Sequence, residues 1–426
     1  MFNLFLNSIN QELMPVVFNF LLILLPITLP FMLLYAFWVL RFRWLQMKFI
    51  EAQKTCLLEI KLPKEVLKSP AAMEIFMGCL SQGGAANFGE AYLDGKTKPW
   101  FSLEIVSTDG VPHFYIWCSQ IKFKNIVEAQ LYAQYPNIEI FEVEDYTKPF
   151  DFDLKKYFIW GIQWQLTRPD PYPIKTFVDY GLDRDPKDEY KVDPMTSVIE
   201  FLGSLKKGDN MWIQILVQKH EKEGWTEGRF ITKPNWEESI KEEIEKIRKA
   251  STPEIEGEEK VLRFPNPTKG QTETIAAIER SASKIPFDCM IRGLYVTEWS
   301  SFNSVNIGGL ISSFKQYSSN TLNGFKPGTM TDVSNNYKDW VRLVFPFMKK
   351  HQEKVVTEFK EEMFEAYKLR SYFQWPYRFY GGKKPFVLNT EELATVFHFP
   401  SGIVSQTPTL VRVASKKSEA PANLPL

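Results

Sequence analysis

The sequence predicts an α+β protein in three parts: an N-terminal transmembrane helix, two tandem ferredoxin-like (split βαβ) modules, and a C-terminal helical and linker segment. Three observations carry this. Between Glu12 and Arg41 lie 28 residues without a charge, more than the roughly 20 that cross a bilayer as a helix. Between about residues 54 and 146, period-two and helical apolar patterns alternate in the order βαββαβ. A looser version of the same alternation returns between about residues 211 and 320. The expected boundaries are 1–50 for the anchor, 51–155 for the first module, 156–335 for the second with a charged insertion at about 233–262, and 336–426 for the remainder.

The anchor runs from about Leu13 to Leu40 as a single span. Pro15, Pro26 and Pro30 each remove a helix hydrogen bond and predict a kink or a change of tilt. A cleaved signal peptide fits poorly, because no basic stretch precedes the apolar run and no small-residue cleavage site follows it. Arg41, Arg43 and Lys48 follow the span and no basic residue precedes it. The positive-inside rule therefore places the rest of the chain in the cytoplasm, with Trp38 and Trp44 at the headgroup level.

In the first module, TCLLEIKLP reads as a strand, and Ser69-Pro70 as a helix cap and first helical residue. WFSLEIVST and HFYIWCS read as strands joined at Asp109-Gly110, KNIVEAQLYAQYP as a helix, and NIEIFEVEDY as a closing strand. The second module offers the strand MWIQILVQ, the helix TKGQTETIAAIERSASK, the strand FDCMIRGLYVTE and the helix VNIGGLISSFKQYSS. Its insertion pairs Glu237 with Lys241, Glu242 with Lys246 and Glu245 with Lys249, with an apolar stripe of Ile240, Ile244 and Ile247. Such spacing predicts a solvated helical arm. The final part holds an amphipathic helix from about Lys349 to Tyr372 with Val355, Val356, Phe359, Met363 and Tyr367 on one side. It continues with an aromatic loop, Tyr372 to Tyr380, a capping box at Asn389 and Glu392, and a Pro- and Lys-rich tail that reads as an exposed linker.

Composition excludes several functions. The 51 basic and 51 acidic residues cancel, so no global field draws the chain onto nucleic acid, and DNA contact would be local or indirect. Cys56, Cys79, Cys118 and Cys289 lack metal or redox spacing, and His113, His220, His351 and His398 are dispersed, so no metal, cofactor or disulfide framework is expected. Gly95-Lys96-Thr97 resembles the end of a P-loop, but the position of its first glycine holds Glu90, and alternating apolar residues follow instead of a helix. A loop before a strand is the reading that stands. Glu361 and Glu362 read as a solvated helix face, and His398, between Phe397 and Phe399, as a packed residue. No catalytic residue is assigned, and the chain is not expected to be an enzyme.

The segments GKTKPWFSLEI, HFYIW, AQLYAQYPNIEIFEVEDY, LNTEELATVFHFP and TPTLVRVASKKSEAPANLP resemble the region before the motor in bacterial membrane-anchored DNA-transfer ATPases. These are the type IV secretion coupling-protein-like members of the FtsK/HerA class. The resemblance extends from about residue 54 to the end, and the chain stops at Leu426 before any Walker motif. It implies a single-pass protein of the bacterial inner membrane that positions a motor ATPase supplied in trans at the cytoplasmic face, with a homo-oligomer as one arrangement and conjugation-like DNA translocation as the setting. The alternative is a membrane-tethered scaffold that binds a protein partner through the aromatic loop, with no nucleic-acid role.

Overall fold

The computed structural model describes residues 2–63, 68–82, 86–183, 192–221, 236–251, 266–331, 346–375, 378, 384–400 and 412–413. The described residues divide into two compact units, the first comprising residues 2–52 and 86–97 and the second the rest.

In the first unit, α1 (Phe2–Ala52) is one unbroken helix of 51 residues. It runs through Pro15, Pro26 and Pro30 without a break. The Thr28 hydroxyl adds a 3.0 Å bond to the Leu24 carbonyl. Every side chain from Phe31 to Trp38 is exposed, and α1 is long and apolar enough to cross a membrane. The short α3 (Phe88–Leu93) packs on α1, burying Phe42, Ala91 and Tyr92 together.

The second unit is built on one antiparallel sheet with a short parallel edge. Its strands are β1 (Cys56–Pro63), β2 (Phe101–Thr108), β3 (Val111–Cys118), β4 (Glu139–Glu142), β5 (Tyr157–Leu166), β6 (Asp209–Lys219), β7 (Pro286–Glu298), β8 (Phe325–Met330), β9 (Phe386–Asn389) and β10 (Arg412–Val413). The order is β10-β1-β3-β2-β6-β7-β5-β8, with β4 also on β1 and β9 also on β7. Each half therefore has the same arrangement outward from the middle: β2-β3-β1-β4 on one side and β6-β7-β5-β8 on the other. The halves join through β2 and β6, which pair from Phe101↔Val217 to Thr108↔Asn210. Asp109 and Gly110 both adopt positive φ, 55° and 78°, as a two-residue hairpin turn between β2 and β3 requires.

Three elements of the second half were not read from sequence: β5, β8, and the helix α5 (Pro194–Gly203) that Asp193 caps. β4 is shorter than its sequence pattern, and beyond the start of β4 its neighbour β1 continues to pair with Arg412-Val413. That pairing also gives structure to two residues of a tail read as linker; residues 401–411 and 414–426 lie outside the described residues.

One sheet face is apolar. Phe101, Leu103 and Ile105 of β2, Ile213 and Ile215 of β6 and Ile291 of β7 belong to its core. Around that core lie α2 (Pro70–Cys79), α4 (Lys124–Gln134), α5 and α8 (Ser304–Ser312). The α10 helix (Thr390–Val396) packs against α2 and α5 with all of its residues buried. The insertion helix α6 (Trp236–Ala250) is not a solvated arm: Trp236 and Ile240 are buried with Ile278 and Val387, and Ile244 and Ile247 pack beside them. Ile278 belongs to α7 (Lys269–Ala282). The predicted charges remain on the outside of α6, where Lys249 lies 3.6 Å from Glu245, while Lys246 takes Glu243 rather than Glu242.

Candidate functional site

Alternation along the strands sends Glu104 of β2, Gln214 of β6 and Arg292 of β7 to the face opposite the apolar core. The three are direct cross-strand neighbours, and all are buried. Their cover is the last turns of α9 (Pro346–Lys368), where Met363, Phe364, Ala366 and Tyr367 are buried. Packing is thus concentrated at the end of this helix, and Val355, expected on its buried side, is exposed.

The helix terminus explains the polar row. Ser371 N–H donates to the Ala366 carbonyl at 3.1 Å and Arg370 N–H to the Tyr367 carbonyl at 3.0 Å, the bond pattern of a Schellman cap. Arg370 holds φ at 48°, a conformation in which glycine is usual. The same two carbonyls accept a second bond from the sheet: Arg292 Nη2 donates to Ala366 O at 2.6 Å and Gln214 Nε2 to Tyr367 O at 3.3 Å. A cation at a helix C-terminus also complements the macrodipole.

Arg370 in turn donates Nε to Glu104 Oε1 at 2.9 Å, Nη2 to Glu104 Oε2 at 3.2 Å, and Nη1 and Nη2 to Asp145. Ser102 and Tyr146 hydroxyls donate to Glu104 at 2.6 and 2.8 Å, and Trp100 Nε1 donates to the Arg370 carbonyl at 2.8 Å. Burial works against the Asp145 charge, yet the hydrogen bond and charge of Arg370 hold it below the usual carboxylate range. Burial lowers the Arg292 guanidinium to about 10, which leaves it charged at neutral pH. Burial raises the Tyr146 and Tyr367 phenols, so both remain donors. Two acids and two guanidiniums, all buried except the half-buried Asp145, form a clamp on the helix end; nothing about this arrangement calls for a substrate.

A second buried group surrounds α10. Asn389 and Glu392 form the predicted capping box, and Glu392 accepts from Ile174 N–H at 2.8 Å and Asn389 N–H at 3.0 Å. Burial outweighs those bonds and pushes its carboxyl up to about 8. Glu391 accepts from Thr176 at 2.7 Å and lies 3.2 Å from Arg280. His398 is packed, as its aromatic flanks suggested, but it also meets a carboxylate that sequence did not reveal: Nε2 is 2.9 Å from Asp193 Oδ1, and Nδ1 is 2.9 Å from the Ala394 carbonyl.

A concavity of about 610 Å³ lies among Arg168, His220, Ser239, Glu242, Asp288 and Lys384. His220 Nδ1 is 2.9 Å from Asp288 Oδ1, both half-buried. A carboxylate that orients an imidazole on a cavity wall can bind or move a proton on a polar ligand. The pair arises because His220 directly follows the end of β6 at Lys219, beside β7, a proximity with no motif in the sequence. Among the described residues, no group of three or more His, Cys, Asp or Glu is placed to hold a metal ion.

Gly95-Lys96-Thr97 is a loop before β2. Lys96 Nζ lies 2.7 Å from Glu90 Oε1, and this partner lowers the Glu90 carboxyl from its ordinary value. Gly95 sits at φ +68°, where an added Cβ would be 2.3 Å from the Leu45 carbonyl oxygen. Its glycine thus serves close approach to α1. In the aromatic loop, Tyr372 and Phe373 are buried and Trp375 is exposed; residues 376, 377 and 379–383 lie outside the described residues. Glu361 and Glu362 are exposed on α9.

Fold and site together define an α+β protein with a large antiparallel sheet and an N-terminal apolar helix. The chain matches, over residues 52–409, the family described as Domain of unknown function (DUF8128), and it belongs to that family. Comparison with curated proteins gave no match.

Proposed function

We propose that this protein is a membrane-anchored assembly module of a DNA-translocation system of the type IV secretion or conjugation kind, holding an FtsK/HerA-class motor ATPase at the cytoplasmic face of a bacterial inner membrane. The observation that carries the reading concerns β1. This strand begins at Cys56, just after α1 ends at Ala52, and its far end pairs in parallel with Arg412-Val413, Leu62 opposite Arg412. One strand thus receives the chain as it leaves the apolar helix and holds the segment that, by resemblance, leads toward a motor. Arg41, Arg43 and Lys48 after the span support a cytoplasmic sheet. The matching strand order of the two halves supports a pair of ferredoxin-like modules fused through β2 and β6.

The role is geometric rather than catalytic. Purification from cells in mild detergent should recover a P-loop ATPase of this class with the chain, and recovery of none would contradict the proposal. The chain alone should not turn over ATP; an activity abolished by Lys96→Ala would do the same. The alternative, a scaffold binding its partner through the aromatic loop, loses Tyr372 and Phe373 from its contact surface because both are buried.

A further inference from the structure

We infer that residues 86–97 form a second membrane-contacting element, in which α3 lies in the interfacial layer beside the span and places Phe88 and Leu93 among lipid headgroups and upper acyl chains. The inference rests on reading α1 as a span. Its own basis is the way the segment is fixed to α1. Tyr92 stacks against Trp38 at 5.5 Å and Phe42 at 4.9 Å between ring centroids. Those two residues straddle the point where the uncharged run ends at Leu40 and the first cation, Arg41, begins. Gly95, three residues on, lies against the Leu45 carbonyl, roughly 10 Å farther along the helix axis from Trp38 at 1.5 Å per residue. In chain order the segment therefore runs from the end of the uncharged run of α1 toward its charged end, and α3 sits at the level where aromatic belts occur.

At that level α3 presents largely exposed apolar side chains, the Phe88 ring lying 4.5 Å from that of Tyr92 on its inner side. Phe88 is 60% and Leu93 68% exposed, beside Trp38 and Leu40 at 45% and 64%. Exposed aromatic and aliphatic groups continuous with a membrane span fit lipid better than water. The polar part of the segment is prepared for such a place. The carboxylate of Glu90 is neutralised by Lys96 at 2.7 Å and accepts the Asn87 N–H at 3.0 Å. Lys48 lies over the Trp44 ring at 5.2 Å, farther toward the charged end, as a residue at the headgroups would.

The test uses the full chain in vesicles of phosphatidylethanolamine and phosphatidylglycerol. An environment-sensitive NBD label is attached at Phe88→Cys, Leu93→Cys or Leu34→Cys in a Cys79→Ser background, because the other native thiols are buried. Quenching is read with lipids brominated near the headgroup or near the chain end. All three labels should be quenched, those at 88 and 93 more by the shallow bromines. Quenching at 34 with none at 88 and 93 would overturn the inference and leave the span intact; no quenching at 34 would remove the span and the inference with it. Gly95→Val, which blocks the approach to Leu45, should reduce quenching at 88 and leave that at 34 unchanged; an unchanged signal at both would show that the clasp does not hold α3 at the interface.

Discussion

The two faces of the sheet solve burial in opposite ways. On one, Leu103, Ile213 and Ile291 meet apolar helices, and any side chain of similar volume could in principle take their places. On the other, the same three strands bury Glu104, Gln214 and Arg292 in one cross-strand row. That row is specific to what covers it, since its donors match the terminal carbonyls of α9 and its carboxylate matches Arg370. The difference teaches that the apolar face supplies stability in bulk, whereas the polar face fixes where a helix ends and where the chain turns next.

The largest expected effect comes from removing one partner of the buried charges. Arg370→Ala leaves Glu104 and the half-buried Asp145 uncompensated, and should cost about 3–5 kcal/mol in chemical denaturation of the detergent-solubilised chain. Leu103→Ala on the apolar face should cost about 2–5 kcal/mol through lost transfer energy and a cavity. The faces part company in the double variants. Glu104→Leu combined with Arg370→Leu should cost much less than the sum of the single changes, while Leu103→Ala combined with a distant core change should add. Additivity on the polar face would break the comparison.

Next in size is a pH effect from the α10 side. Glu392 titrates near 8 when folded against 4.5 for an ordinary glutamate. An acid whose folded value is raised binds its proton more tightly in the native state, so its contribution is fully present below about 4.5 and is lost as pH rises toward 8. Within that window stability should fall by up to about 1.4 kcal/mol per pH unit. Glu392→Gln should flatten the profile, measured by denaturation midpoints across pH; an identical slope in the variant would remove Glu392 as the cause.

Gly161 sharpens the polar side further. A Cβ there would stand 2.3 Å from Met363 Sδ and 2.7 Å from Leu294 Cδ2, so Gly161→Ala should cost about 1–3 kcal/mol by overpacking. Met363→Ala should recover part of that loss in the double variant. The smallest effect belongs to neither face: Lys249→Ala on α6 breaks an exposed pair with Glu245 and should change stability by less than about 0.5 kcal/mol.

Much of the apolar face was legible in the sequence because local chemistry determined it. Ser69-Pro70, Asp109-Gly110 and Asn389 with Glu392 act over a few residues, and each appears as read. The polar row was not legible. LEIV, IQIL and IRGL each hold one polar residue in an apolar run, which looks like a solvent-facing position until a helix more than 150 residues away in the case of Gln214 covers it. Arg370 gave no warning either, since nothing local distinguishes an arginine that adopts a glycine conformation. Likewise α6 displayed its charge pairs plainly but not the partner for its isoleucines, because Ile278 and Val387 reach it only through the tertiary fold.

Hydrogen exchange at the Ser371 amide tests the clamp most directly. This N–H closes the helix end onto Ala366, whose carbonyl also accepts from Arg292. In the wild type it should exchange as slowly as the central amides of β2 and β6; in Arg292→Met it should exchange far faster while those of β2 and β6 stay protected. Fast exchange at Ser371 in the wild type, or equal protection in both proteins, would contradict the claim that the polar row exists to hold the end of α9.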